Sequence, residues 1–193
     1  MNTTAASALN STRTDASRLD SRRRLGVALL AAALISATAT FRTQATDLHT
    51  LLSTIGEPGP YVVVGQSFGG AEAVTFASLF VGEVTGLALI DASPTTWPAA
   101  LCAVADDGTD GATMLRATCS GAFLPTGNSE HLDVAAAFAD VAGIVSIGSL
   151  PMAVITATAR TLPADLAATE VARLTDVWNQ ASRTGSRCRP PHV

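Results

Sequence analysis

Tyr61-Val62-Val63-Val64-Gly65-Gln66-Ser67-Phe68-Gly69-Gly70 is the stretch on which the reading of this chain turns. Its first four residues are aromatic or β-branched, the composition of a buried strand. The strand runs directly into G-x-S-x-G, where glycines on both sides of a serine permit a strained strand-to-helix turn with the hydroxyl clear of the sheet. Ser67 is therefore the candidate nucleophile. With 15 glycines among 193 residues, three fixed positions arise by accident in roughly one chain in ten, so the setting must carry the weight. The setting agrees: Gly70 to Phe80 follows with small residues first and a helix-compatible pattern after. Strand, turn and helix are predicted in that order.

A second apolar run, Val84-Thr85-Gly86-Leu87-Ala88-Leu89-Ile90, ends in Asp91-Ala92 at a fitting distance. Together the two runs resemble the α/β-hydrolase superfamily, over about Thr43 to Trp178 and most specifically between Gly59 and Pro94. Gly59 to Gly65 looks like that family's fifth strand and Val84 to Ala92 like its sixth. Pro151-Met152-Ala153-Val154-Ile155-Thr156-Ala157 resembles its seventh. The family often has His after the elbow glycine, where this chain has Gln66, a position that is neither nucleophile nor base. The fold expected is α/β, a partial α/β-hydrolase-like parallel sheet of about three strands with flanking helices and a helical cap insertion. The family's first four strands have no counterpart here.

Composition bounds the alternatives. The chain is 48% hydrophobic with a mean hydropathy of +0.33, ample for one packed domain. Its net charge is -4 and its basic residues are all Arg, which gives no footprint for nucleic acid. Gly65, Gly69 and Gly70 are followed by no Lys to meet a phosphate, and no Cys/His spacing resembles a zinc site, so neither cofactor nor metal is expected.

Residues 1–24, rich in Ser, Thr, Ala and Arg, read as a disordered basic leader. Residues 25–41 are uncharged, with an apolar core from Leu25 to Ile35 and small residues after it. A basic flank, an apolar core and an A-x-A site at Ala39 have the order of a signal peptide, and the same stretch is open to reading as a membrane anchor or transmembrane helix. Either way the expected location is secreted or membrane-anchored, with Ser67 outside the cytoplasm. Export makes the cysteines interpretable. Cys102 and Cys119 flank a loop-rich stretch that a disulfide would staple, and Cys188 is left over.

Residues 42–180 are the expected domain. Leu48, Leu51, Leu52 and Ile55 recur at helical spacing before Gly56 and Pro58. Residues 95–148 read as a cap-like insertion of short helices, and Pro163 as the start of an amphipathic helix through Leu166, Val171, Leu174 and Trp178. Beyond it, 181–193 is read as an irregular tail.

A serine hydroxyl needs a base, usually a histidine held by a carboxylate. The resemblance implies Asp91 as the acid, with Asp165 the alternative after the seventh strand, and the backbone N–H of Phe68 as one oxyanion donor. Chain order points to His192 for the base, although it follows Arg189-Pro190-Pro191 rather than a strand. His49 is expected on an exposed helix face and His131 at the surface. The activity implied is ester or amide hydrolysis of a small molecule through an acyl-serine, weak or absent in this chain alone. The alternatives are a non-catalytic remnant that binds a partner or a second copy through an exposed sheet edge, or a gene fragment.

Overall fold

Parallel strands cannot be joined by a tight turn, so each passage from one to the next carries a crossover. The computed structural model describes residues 38–157 and 159–185, the last five as backbone only. It is an α/β arrangement of three parallel strands in the order β1-β2-β3, with flanking helices. Helix α1 (Phe41–Ile55) leads to β1 (Tyr61–Gln66), and α2 (Phe68–Leu79) crosses to β2 (Val84–Ile90). Three short helices, α3 (Trp97–Cys102), α4 (Asp110–Ser120) and α5 (Val134–Ala142), fill the passage to β3 (Met152–Ile155). Helix α6 (Ala168–Gly185) follows.

Threonine sets the entry of α1. The Thr40 hydroxyl accepts from the Thr43 amide and the Thr43 hydroxyl accepts from the Thr40 amide at 2.8 Å, a reciprocal capping box. This corrects the expectation of a membrane-spanning helix over 25–41. Among the described residues no helix is long and apolar enough to cross a membrane. The end of that apolar stretch is built into the domain instead. Ala39 donates to the His131 carbonyl at 2.8 Å and accepts from the Asp133 amide at 2.9 Å, and Phe41 is fully buried. Residues 1–37, which include the expected leader and apolar core, lie outside the described residues.

Both ends of the closing helix differ from the sequence reading. The closing helix begins at Ala168, five residues after Pro163, and the intervening Asp165 accepts a hydrogen bond from the Gly111 amide at 3.0 Å. It also continues through Gly185, so the expected irregular tail begins at least five residues later. Helix α5 starts at Val134 with Asp133 as its cap, while Asn128 pins the preceding loop through the Leu124 and Leu132 carbonyls and the Leu132 amide.

The core lies in three clusters. One, Ala45, Phe76, Ala77 and Val84, seats α1 and α2 against the sheet. Phe41, Ala71, Leu132, Val134, Ala137 and Phe138 join α1, α2 and α5. The third, away from the sheet, packs Trp97, Leu101, Leu115, Leu174 and Trp178 from α3, α4 and α6. Register places Val62, Val64 and Gln66 on one face of the sheet with Ala88, Ile90, Ala153 and Ile155. That face is open: Val62, Val64 and Ile155 are 68%, 60% and 59% exposed.

Cys102, the last residue of α3, is joined by a disulfide to Cys119 in α4 across a separation of 17 residues. Reduction, or replacement of both by serine, is expected to lower the unfolding free energy by about 3 kcal/mol, the chain-entropy value for a loop of this size. Urea unfolding with and without reductant measures it as a fall in midpoint.

Candidate active site

The junction of β1 and α2 turns in the space of one residue. Ser67 has φ 52° and ψ -124°, a conformation that L-residues rarely adopt and that costs about 1–3 kcal/mol unless its surroundings over-determine it. Here they do. The Ser67 amide donates to the Ile90 carbonyl at 3.1 Å, and its carbonyl accepts from the amides of Gly70 and Ser93, each at 3.0 Å.

Two glycines make this approach possible, and they are not the symmetric pair of the motif. A Cβ at Gly65 would overlap the Gly69 carbonyl and lie 2.7 Å from the Gly70 Cα. A Cβ at Gly70 would overlap the Ala92 side chain. Gly69 meets nothing closer than the Glu72 carboxylate at 4.0 Å. The steric requirement therefore falls on Gly65 and Gly70.

Ser67 itself is exposed, so its hydroxyl stands at the surface. Among the described residues, the side-chain group within hydrogen-bonding reach of its hydroxyl is that of Ser93, 3.4 Å away. Ser93 carries no signal in the sequence beyond its place two residues after a strand-end Asp. Phe68 occupies the first position of α2, where helix amides lack intrahelical acceptors. Its ring packs on Phe138 at 5.0 Å and Phe123 at 6.0 Å, so the residue expected to matter through its amide also ties the elbow to the helical segment.

Asp91 stands where β2 ends, at φ 46°, with its amide donating to the Ile155 carbonyl at 2.6 Å. Its carboxylate accepts from Arg160 at 2.7 Å, the Trp178 indole at 2.9 Å and the Ala157 amide at 3.3 Å. The Arg160 guanidinium stacks 3.2 Å from the Trp178 ring centroid. These contacts link β2, the segment after β3, and α6. Asp165 is placed elsewhere, on the Gly111 amide at the start of α4.

Neither described histidine is hydrogen-bonded to Ser67. His49 is half-buried rather than exposed, because its ring stacks on Phe80 at 4.0 Å and its Nε2 meets the Glu83 carboxylate at 3.0 and 3.1 Å. His131 is exposed. His192 and Cys188 lie outside the described residues. On α2, burial and then the negative charge of Glu130 hold the Glu72 carboxyl above the usual carboxylate range. Among the described residues no group of three or more His, Cys, Asp or Glu is placed to hold a metal ion. Two surface depressions, one around Gly56 to Tyr61 with Glu83, the other between Arg42 and Ser146, do not include Ser67.

No protein-family model, curated protein or solved structure matches the chain.

The glycine asymmetry has a measurable consequence. Gly65→Ala and Gly70→Ala are each expected to cost about 1–3 kcal/mol, the usual range for forcing extra volume into a packed site. Gly69→Ala, open and on a helix, is expected to be neutral or to stabilise by up to about 1 kcal/mol. Thermal unfolding of the three variants gives the comparison, and equal losses at Gly65 and Gly69 would contradict it.

Proposed function

We propose that this chain is a serine hydrolase module on the plan of an α/β-hydrolase, acting on small esters or amides. The observation that carries the reading is the strained, surface-exposed Ser67 at a parallel strand-to-helix junction. A serine held at positive φ by three backbone hydrogen bonds is costly to maintain, and such strain concentrates where a side chain must be presented to a reactant.

In this reading the Ser67 Oγ attacks the carbonyl carbon of the substrate while a base takes its proton. The carbonyl oxygen becomes an oxyanion facing the Phe68 amide at the positive end of α2. Collapse expels the alcohol or amine, which leaves with the proton, and water then releases the acyl group from Ser67. Asp91 has the role of holding the base, sharing its carboxylate with Arg160 and Trp178. No described histidine is hydrogen-bonded to Ser67, and the candidate base His192 lies outside the described residues. General acid–base help contributes about 10²–10⁴-fold where it is present, so turnover without it is slow. The disulfide favours an oxidising compartment as the place of action.

A second reading is favoured by one specific feature. The open sheet face and the β1 edge carry Val62 and Val64 with no charged residue to discourage pairing. Two copies joined along β1 would satisfy both unpaired backbone edges, and Ser67 would then be dispensable.

Two measurements separate these readings. Covalent capture by a fluorophosphonate is expected for the wild-type chain and not for Ser67→Ala, with slow p-nitrophenyl ester turnover that also depends on Ser67. Absence of Ser67-dependent capture would sink the hydrolase reading. The self-association reading predicts a dimer by size-exclusion chromatography that Val64→Lys converts to monomer, and a wild-type monomer counts against it.

A further inference from the structure

We propose that Ser93 is a positioning residue for the Ser67 nucleophile: its hydroxyl donates to the Ser67 Oγ as that oxygen gives up its proton. The inference rests on the hydrolase reading and adds to it a residue outside the nucleophile, acid and base.

Among the described residues, Thr75 and Ser93 are the buried polar ones. The Thr75 hydroxyl makes an ordinary bond back to the Ala71 carbonyl within its own helix, at 2.9 Å. Ser93 is 8% exposed and its hydroxyl reaches across 26 residues of chain to Ser67. Burying a hydroxyl is costly unless it finds a partner, and the partner here is the candidate nucleophile.

The backbone fixes the same relationship. The Ser93 amide donates to the Ser67 carbonyl at 3.0 Å, so the two residues are held together by main chain as well as side chain. The two residues before Ser93 are themselves held in place. Ala92 packs where Gly70 lacks a side chain, and Asp91 is anchored by its amide and by three donors to its carboxylate. A hydroxyl mounted on so constrained a segment is pre-organised.

In the resting site either hydroxyl can donate. Once Ser67 has passed its proton to a base, its oxygen can only accept, and the Ser93 O–H becomes the donor. A hydrogen bond to the charged form favours that form, so Ser93 makes the Ser67 oxygen easier to deprotonate. The 3.4 Å separation is long for two hydroxyls, and contacts of this kind tighten as charge develops.

The test is the second-order rate at which a fluorophosphonate labels the full chain, followed as a function of pH. In that reaction the Ser67 Oγ bonds to phosphorus, the P–F bond breaks, fluoride departs, and the serine proton passes to a base or to water. Ser93→Ala is expected to slow labelling about tenfold or more, the loss of a hydrogen bond to a charging group, and to move the rise in rate to higher pH. Ser93→Cys keeps nearly the same shape with a much weaker donor, so it tests the donor even where the alanine variant folds poorly. It is expected to label slowly, with the same displacement toward higher pH. Ser67-dependent labelling of Ser93→Cys at the wild-type rate and pH profile overturns this inference alone. Absence of Ser67-dependent labelling in the wild type overturns the hydrolase reading and this inference with it.

Discussion

The rest of the structure hangs on how closely the backbone of β1 meets the backbone that follows it. At Gly65 there is no room for a single carbon beyond the main chain, because the Gly69 carbonyl occupies the space. At Gly70 the space belongs to Ala92. This double approach forces Ser67 into its positive-φ conformation, starts α2 one residue later, and brings the segment after β2 against the turn. A tight turn of this kind fixes relations among three elements at once, since β1 and β2 both end against it.

From that turn the packing spreads through Phe68. Its ring stands between two hydrophobic clusters, one built on α1, α2 and α5 and the other on α3, α4 and α6. The second cluster has little contact with the sheet and is tied to it electrostatically. Asp91 at the end of β2 receives Arg160 and Trp178, while Arg160 lies across the Trp178 ring and 5.5 Å from the Trp97 ring centroid. With the carboxylate and guanidinium both largely shielded, this pair is worth more than a surface ion pair, and an indole face adds a cation–π term. The disulfide joins α3 to α4 within the same assembly, where Cys119 packs against the cluster.

The sheet itself is covered on one face only. Parallel sheets are ordinarily buried on both faces, and the exposed Val62, Val64 and Ile155 are where this chain departs from that rule. The openness extends to Ser67, which sits at the surface at the end of β1. An exposed nucleophile works in a high-dielectric setting, where hydrogen bonds and dipoles stabilise developing charge less than they do in a closed site. The geometry of the turn and the openness of its surroundings therefore pull in opposite directions for catalysis.

What the sequence by itself determined was local. Four consecutive aromatic and β-branched residues before G-x-S-x-G specified β1, the turn and α2, because strand preference and glycine permissiveness act over a few residues. The run ending at Asp91 specified β2 in the same way, and the spacing of Cys102 and Cys119 suggested their pairing. Only the folded chain decided which glycines the turn requires: the Gly69 carbonyl folds back onto Gly65 within the turn, and Ala92, from the segment after β2, closes on Gly70. It likewise moved Asp165 to a helix start, half-buried His49 against Phe80 and Glu83, shifted the start of α6 to Ala168, and drew Ala39 and Phe41 into the domain. Ser93 belongs with these. Nothing in its own neighbourhood of the chain distinguishes it, and it acquires a partner only because β2 ends beside β1. Hydrogen bonds and steric exclusions between segments distant in sequence leave no periodic trace in either segment, and for that reason they become visible only when the chain is folded.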